Sequence, residues 1–175
     1  GAGAKVGYDP SVEGLSRVWM RVFPFWEMLL DRDVHDWDDS RFIGHISFKP
    51  VSEVIDQYDL SESDVGSVSR EDFLSGYMDG DEVEGERSEF VRVLEFCNLS
   101  DEYRDTDGTL YKGRLEIYIL DGRELPVYMG PLPMVDARNQ PMPHIVPLIF
   151  EHEPEYPYRG LAYAKQLMPQ QRELN

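Results

Sequence analysis

The sequence is poor in cysteine and in positive charge. One cysteine, Cys97 in the apolar run VRVLEFC, stands in 175 residues. That excludes an intrachain disulfide and predicts a buried, reduced thiol. Lys and Arg number 17 against 34 Asp and Glu, a formal charge of −17. Such a surface repels phosphate and argues against tight nucleic-acid binding. No apolar run approaches the ~18 residues that a membrane-spanning helix needs. Catalytic signatures are missing too. The opening Gly1-Ala2-Gly3-Ala4 lacks the third glycine and the preceding strand of a phosphate loop, and no nucleophile elbow occurs. His35, His45, His144 and His152 show neither HxxxH nor HExxH spacing. Cys97 has no basic neighbour along the chain to activate it. Catalytic residues, metal ligands and cofactors are therefore not expected.

What is present suits a folded domain rich in turns. The hydrophobic share is 41%, with 10 Tyr, 8 Phe and 3 Trp, enough for a core. Fourteen Gly and 12 Pro argue against a helical bundle. The charge is uneven. From Pro50 to Glu86 twelve acidic residues face Arg70 alone, whereas after Pro157 Arg159, Lys165 and Arg172 face Glu173.

Pattern along the chain predicts an α+β, β-rich domain. Its centre is an antiparallel meander or small Src-homology-3-like barrel packed with short helices. Val6 and Tyr8 begin a first strand, and Arg17 to Phe23 form a second that ends at Pro24. Phe25 to Leu30 suit a helical turn or a continuing strand. Arg41 to Phe48 form a clear strand, with Ile43, His45 and Ser47 on one face and Phe42, Gly44, Ile46 and Phe48 on the other. Pro50 opens a helix to Tyr58, with Val51, Val54, Ile55 and Tyr58 at helical spacing. A second helix is predicted from Ser69 to Met78, followed by a charged loop from Asp79 to Glu86.

The meander comprises Phe90–Cys97, Gly113–Leu120 and Leu125–Met129. Asp121-Gly122 is a strong two-residue hairpin signal, and Leu115, Ile117 and Ile119 share one face. Pro131 to Pro143 reads as an irregular loop, and Ile145 to Phe150 as a buried strand that must tolerate Pro147.

Two Asp-rich stretches invite a metal reading. Asp31, Asp33, His35 and Asp36 offer oxygen and nitrogen donors, but Asp clusters between strands commonly make caps and Asx-turns. In Asp105-Thr106-Asp107-Gly108-Thr109 the calcium-loop alignment puts Arg114 where a bidentate Glu is required, so a polar β-turn is expected.

From Pro141 the chain reads as a Pro-spaced extended run, an acidic aromatic turn, and a helix from Gly160 to Leu167. Pro169 then restarts or kinks that helix. A domain seldom ends on a polar helical stretch, so the chain is expected to continue beyond Asn175.

The order of these segments resembles the wing region of portal proteins, the head-to-tail connectors of tailed bacteriophages. Lys5 to Asp9, the Val18–Pro24 strand and Asp31 are similar to the family's first steps. The acidic turn from Asp36, the strand after it and the helix from Pro50 to Tyr58 are similar to the next. Phe90 to Cys97, with Glu95, resembles the strand that opens the central meander. Pro143 to Pro147, Tyr158 to Gly160 and Pro169 to Asn175 resemble its proline, strand, aromatic-Gly and helix ending. The acidic insertion from Leu60 to Glu89 has no counterpart in that pattern and is expected to be partly mobile.

The resemblance implies a single wing-like domain over residues 1–175, a fragment of a longer chain. It implies a homo-oligomeric ring, typically a dodecamer, at the portal vertex of the virion, assembled in the host cytoplasm. Its partners would be the terminase, the tail adaptor and capsid protein, with double-stranded DNA passing through without sequence-specific binding and no membrane contact. The protein would be no enzyme. Tyr158, Gly160, Tyr163, Gln170, Gln171 and Asn175 become candidate subunit contacts. Two other readings stand beside this one. The first is a complete, acidic β-rich binding module or head–tail adaptor, and the second a metal-dependent hydrolase built on the Asp31–Asp39 cluster.

Overall fold

The computed structural model describes residues 2–9, 11, 17–31, 33–34, 39–66, 90–120, 122–148, 152–153 and 156–160, the last two segments as backbone only. In chain order the elements are β1 (Ala2–Tyr8), β2 (Val18–Pro24), a 3-10 turn (Phe25–Glu27), β3 (Met28–Leu30), β4 (Phe42–Pro50) and α1 (Val51–Tyr58). A second 3-10 turn (Glu62–Asp64) precedes β5 (Phe90–Arg104), β6 (Leu110–Ile119), β7 (Tyr128–Gly130), β8 (Met134–Val135) and β9 (Pro141–Met142). The last strands are β10 (Ile145–Leu148), β11 (His152–Glu153) and β12 (Tyr156–Gly160). Among the described residues the protein is β-rich, with antiparallel sheets and little helix, as its Gly and Pro content and strand patterns predict.

The largest sheet is a five-stranded antiparallel meander in the order β3-β4-β5-β6-β7. Ile43 stands opposite Cys97 and Cys97 opposite Leu115; Ser47 stands opposite Val93 and Val93 opposite Ile119. Period-two alternation therefore puts Ile43, Val91, Val93, Cys97, Leu115 and Ile119 on one face. That face is covered twice. At one end Phe23 of β2, Ile145 of β10 and Leu132 pack on Ile43, Cys97 and Leu115. At the other end Val54 of α1 and Val65 pack on Val91, Val93 and Ile119, with Val51, Ile55 and Tyr58 alongside. The helix is set as its spacing predicts, with Pro50 as N-cap and Asp59 as a left-handed C-cap at φ 51°.

The second sheet runs β10-β1-β2, and its Phe23 and Ile145 link it to the meander. In it β1 pairs residue for residue with β2, from Ala2 opposite Pro24 to Tyr8 opposite Val18. β10 is an edge strand, with Gly3 opposite Pro147. An edge is where a strand can lack an N–H, which is how Pro147 is accommodated.

Structure and expectation part at several elements. The first strand spans Ala2–Tyr8, and Phe25–Leu30 splits into a 3-10 turn and a strand. β5 runs on past Cys97 to Arg104, and its turn to β6 is the polar Asp105–Thr109 loop, closed by an N–H of Gly108 to the Asp105 carbonyl at 2.9 Å. Within this long hairpin the register jumps between Asn98 and Glu102, leaving Gly113 opposite the extra residues. Gly113 has φ 80°, and a Cβ there would lie 2.9 Å from the Asn98 carbonyl, so glycine is required.

Asp121 of the predicted Asp121-Gly122 turn lies outside the described residues, and the register of the flanking strands implies a longer connection than two residues. β6 and β7 pair between Leu115–Gly130 and Ile117–Tyr128 and no further. Gly122 lies on the backbone at Asp64 and Gly66, where a Cβ would meet the Asp64 carbonyl at 2.3 Å. Pro131–Pro143 is not wholly irregular either, since it contains the β8–β9 pair, turned at Asn139 with φ 62°. Leu60–Gly66, the start of the predicted acidic insertion, contributes Val65 to the core. Residues 67–89, the predicted Ser69–Met78 helix and the Gly160–Leu167 helix beyond its first residue lie outside the described residues.

Candidate functional site

Between the two cores the meander places a charged group on its covered face. The ladder sets His45 opposite Glu95 and Glu95 opposite Ile117. Alternation along Val91, Val93, Glu95 and Cys97 turns this carboxylate inward, where an unpaired charge would be costly. The second sheet supplies the partners. Lys5 of β1 forms an ion pair with Glu95 through Nζ and Oε1. His144, just before β10, shares a hydrogen bond between Nε2 and Glu95 Oε2 at 2.9 Å. The Val6 N–H donates to the His144 carbonyl at 2.9 Å, which fixes the histidine to β1. Burial pushes the Glu95 carboxyl up, but the His144 hydrogen bond and the Lys5 charge outweigh it and hold the group at about 2.

Cys97 completes a line. Its Sγ lies 3.8 Å from His144 Nδ1, so thiol, imidazole and carboxylate follow in the order that nucleophile, base and orienting group take in cysteine hydrolases. The chemistry does not follow. Burial, and next the Glu95 charge, push the thiol up to about 12, and Cys97 is fully buried. A thiol that is neither ionised nor reachable cannot attack a substrate. The basic neighbour absent from the local sequence is supplied by the fold, yet it does not activate the sulfur. What the arrangement does is tie two sheets together through one buried carboxylate.

His45 lies beside this tie. Its ring centroid is 3.9 Å from that of Phe23. Both ring nitrogens are buried without a hydrogen-bond partner, although Nε2 stands 3.4 Å from Glu27 Oε2. Burial first, and then the Lys5 charge, lower its pKa to about 4, so the imidazole is neutral near pH 7. Burial raises the pKa of Glu27.

The Asp-rich stretch before β4 holds a guanidinium. The buried Asp31 carboxylate accepts from Arg41 Nε at 2.6 Å and from Arg41 Nη2 at 2.8 Å, and Nη2 also reaches Asp33 at 3.1 Å. Backbone N–H groups of Asp33 and Arg41 add to it at 3.3 and 3.2 Å. The Arg41 hydrogen bonds hold Asp31 well below the usual carboxylate range, despite its burial. This is the loop-cap arrangement, with Arg41 in the place a cation would take. His35 and Asp36 lie outside the described residues, and no cluster of three or more metal-capable side chains occurs among those described.

Of the sequence-derived contact candidates, Tyr158 and Gly160 fall on β12, with Gly160 opposite His152. Tyr163, Gln170, Gln171 and Asn175 lie outside the described residues. Sequence reasoning missed the Lys5–Glu95–His144 group. The available signal was Glu95 itself, a carboxylate at an inward position of an otherwise apolar alternation. Comparison with protein-family models and with curated proteins gave no match for this chain.

Proposed function

We propose that this chain is a structural subunit of a portal ring, the connector through which a tailed bacteriophage packages and ejects its DNA. What supports the reading is the order of portal-like motifs along the sequence, three of which coincide with elements of the described fold. The Val18–Pro24 motif is β2, and Asp31 caps the turn toward β4. The Pro50-to-Tyr58 motif is α1, and the Phe90-to-Cys97 motif is the start of β5, the middle strand of the meander. Under this reading the meander and the sheet laid over it are the small Src-homology-3-like unit of a wing. Terminase, tail adaptor and capsid protein are its partners, and its work is assembly, without catalysis.

Two physical features support this. A ring subunit under load needs rigid cross-sheet ties, and the Lys5–Glu95–His144 group is one. A conduit for DNA gains from repelling phosphate, and the chain carries −17. The test is negative-stain microscopy of the complete protein purified from host cells. Closed rings, dodecameric by the resemblance, are expected; a monomer at high concentration would sink the reading.

A further inference from the structure

We infer that Glu27 and His45 form a proton-operated latch, in which uptake of one proton closes a hydrogen bond between the turn that joins the two sheets and β4 of the meander. The inference rests on the packing at this joint and does not depend on the ring reading.

The ladder itself brings the pair together. Glu27 ends the Phe25–Glu27 turn, which carries the chain from β2 of the second sheet into β3, an edge of the meander. Met28, the next residue, stands opposite His45. The Glu27 carboxylate is thereby set beside the imidazole, with Nε2 and Oε2 3.4 Å apart.

In the deprotonated state this contact stays open. Among the described residues neither ring nitrogen of His45 has a hydrogen-bond partner, and no cation other than a protonated His45 pairs with Glu27. The His45 side chain is 7% exposed and that of Glu27 25%, so the ring sits inside and the carboxylate at the rim. A neutral ring gives the carboxylate no return for leaving water, since a buried charge without a counter-charge is costly. One added proton removes that obstacle whichever atom carries it. On Nε2 it makes an imidazolium beside a carboxylate; on Oε2 it makes a carboxylic acid that donates to an imidazole nitrogen. Both are one hydrogen bond at the same net charge, so the proton belongs to the pair.

The surroundings leave Glu27 as the group that responds. Lys5 of β1, Arg21 of β2 and His144 before β10 oppose a charge on His45, and Glu95 of β5 favours it. Glu95 is itself held by Lys5 and His144. Phe23 covers the ring, and Met28 brings no charge. Burial acts on the pair in opposite senses, lowering the pKa of His45 to about 4 and raising that of Glu27. The two proton affinities are drawn together, which is what sharing one proton requires.

The test is an NMR titration from about pH 7 to about pH 3, following the Glu27 carboxyl carbon and the His45 ring nitrogens in the wild type, Glu27→Gln and His45→Leu. Far-UV circular dichroism at neutral pH checks the fold of each variant. In the wild type both signals are expected to move together, with one midpoint. In Glu27→Gln the His45 midpoint is expected to fall by about one unit, a tenfold loss of proton affinity. The Glu27 midpoint is expected to fall as far in His45→Leu. If His45→Leu disturbs the packing, Glu27→Gln decides alone, because it alters only a rim side chain and keeps its shape.

Separate midpoints in the wild type, or a His45 midpoint unmoved by Glu27→Gln, would overturn the latch. So would a wild type that unfolds as the pair takes up its proton, because closure must hold the joint while that proton is bound.

Discussion

His45 is a side chain whose surroundings override its ordinary chemistry. Its pKa falls from 6.5 to about 4 on folding, by burial and by Lys5. Between those values the unfolded chain binds more protons than the folded one, so stability falls as pH drops through that window. The size is on the order of 2–3 kcal/mol between pH 7 and pH 4. Glu95 acts in a lower window. Its folded pKa of about 2 lies below the ordinary 4.5, so its contribution is complete above pH 4.5 and is lost as pH falls toward 2. Replacing His45 with Leu removes the group that must stay neutral and its unpartnered nitrogens. The urea midpoint of His45→Leu is therefore expected to be flat between pH 6.5 and 4.5, where the wild type slopes. An unchanged slope in the variant would show that another group carries the effect. The inward position of His45 was legible in the strand pattern. Its neutrality was not, because it depends on Lys5 and Phe23 from another sheet.

The elements divide into those set by local pattern and those set by contacts. Helix α1 belongs to the first kind: its apolar spacing, Pro50 and the left-handed Asp59 all agree, and tertiary packing uses the face that the spacing predicts. The β5–β6 hairpin belongs partly to the second. Its turn at Asp105–Thr109 was legible, but its length was not, because the bulge around Gly113 lets β5 continue through the mostly polar residues 98–104. Gly113→Ala would force a left-handed alanine against the Asn98 carbonyl and Leu132. A loss of about 2 kcal/mol is expected, read as a lower thermal midpoint with unchanged β content. Wild-type stability in that variant would mean the bulge relaxes freely. Gly122 sits against the backbone of Asp64 and Gly66, a contact that no local pattern announces.

For the whole molecule, the balance lies between a net charge of −17 and the exposed apolar side chains, among them Met20, Trp26 and Met129. Two copies repel at long range and attract where apolar side chains meet, and salt screens the first effect far more than the second. Self-association is therefore expected to strengthen several-fold between 50 and 500 mM NaCl, measured by sedimentation equilibrium. Association that weakens with salt would point to ion pairs as the dominant contact and contradict an apolar one.

By itself the sequence determined the class of the fold and the character of the surface. Gly and Pro content pointed to a turn-rich, β-rich fold, strand and turn patterns to an antiparallel meander, alternation to which residues face inward, and the charge excess to repulsion of phosphate. These are local or summed properties, carried by each residue wherever it sits. Tertiary structure decided which distant groups meet. It brought Lys5 and His144 to Glu95, set Arg41 between Asp31 and Asp33, and buried Cys97 beyond reaction. Such pairings depend on how two sheets pack, and burial fixes both their geometry and their ionisation.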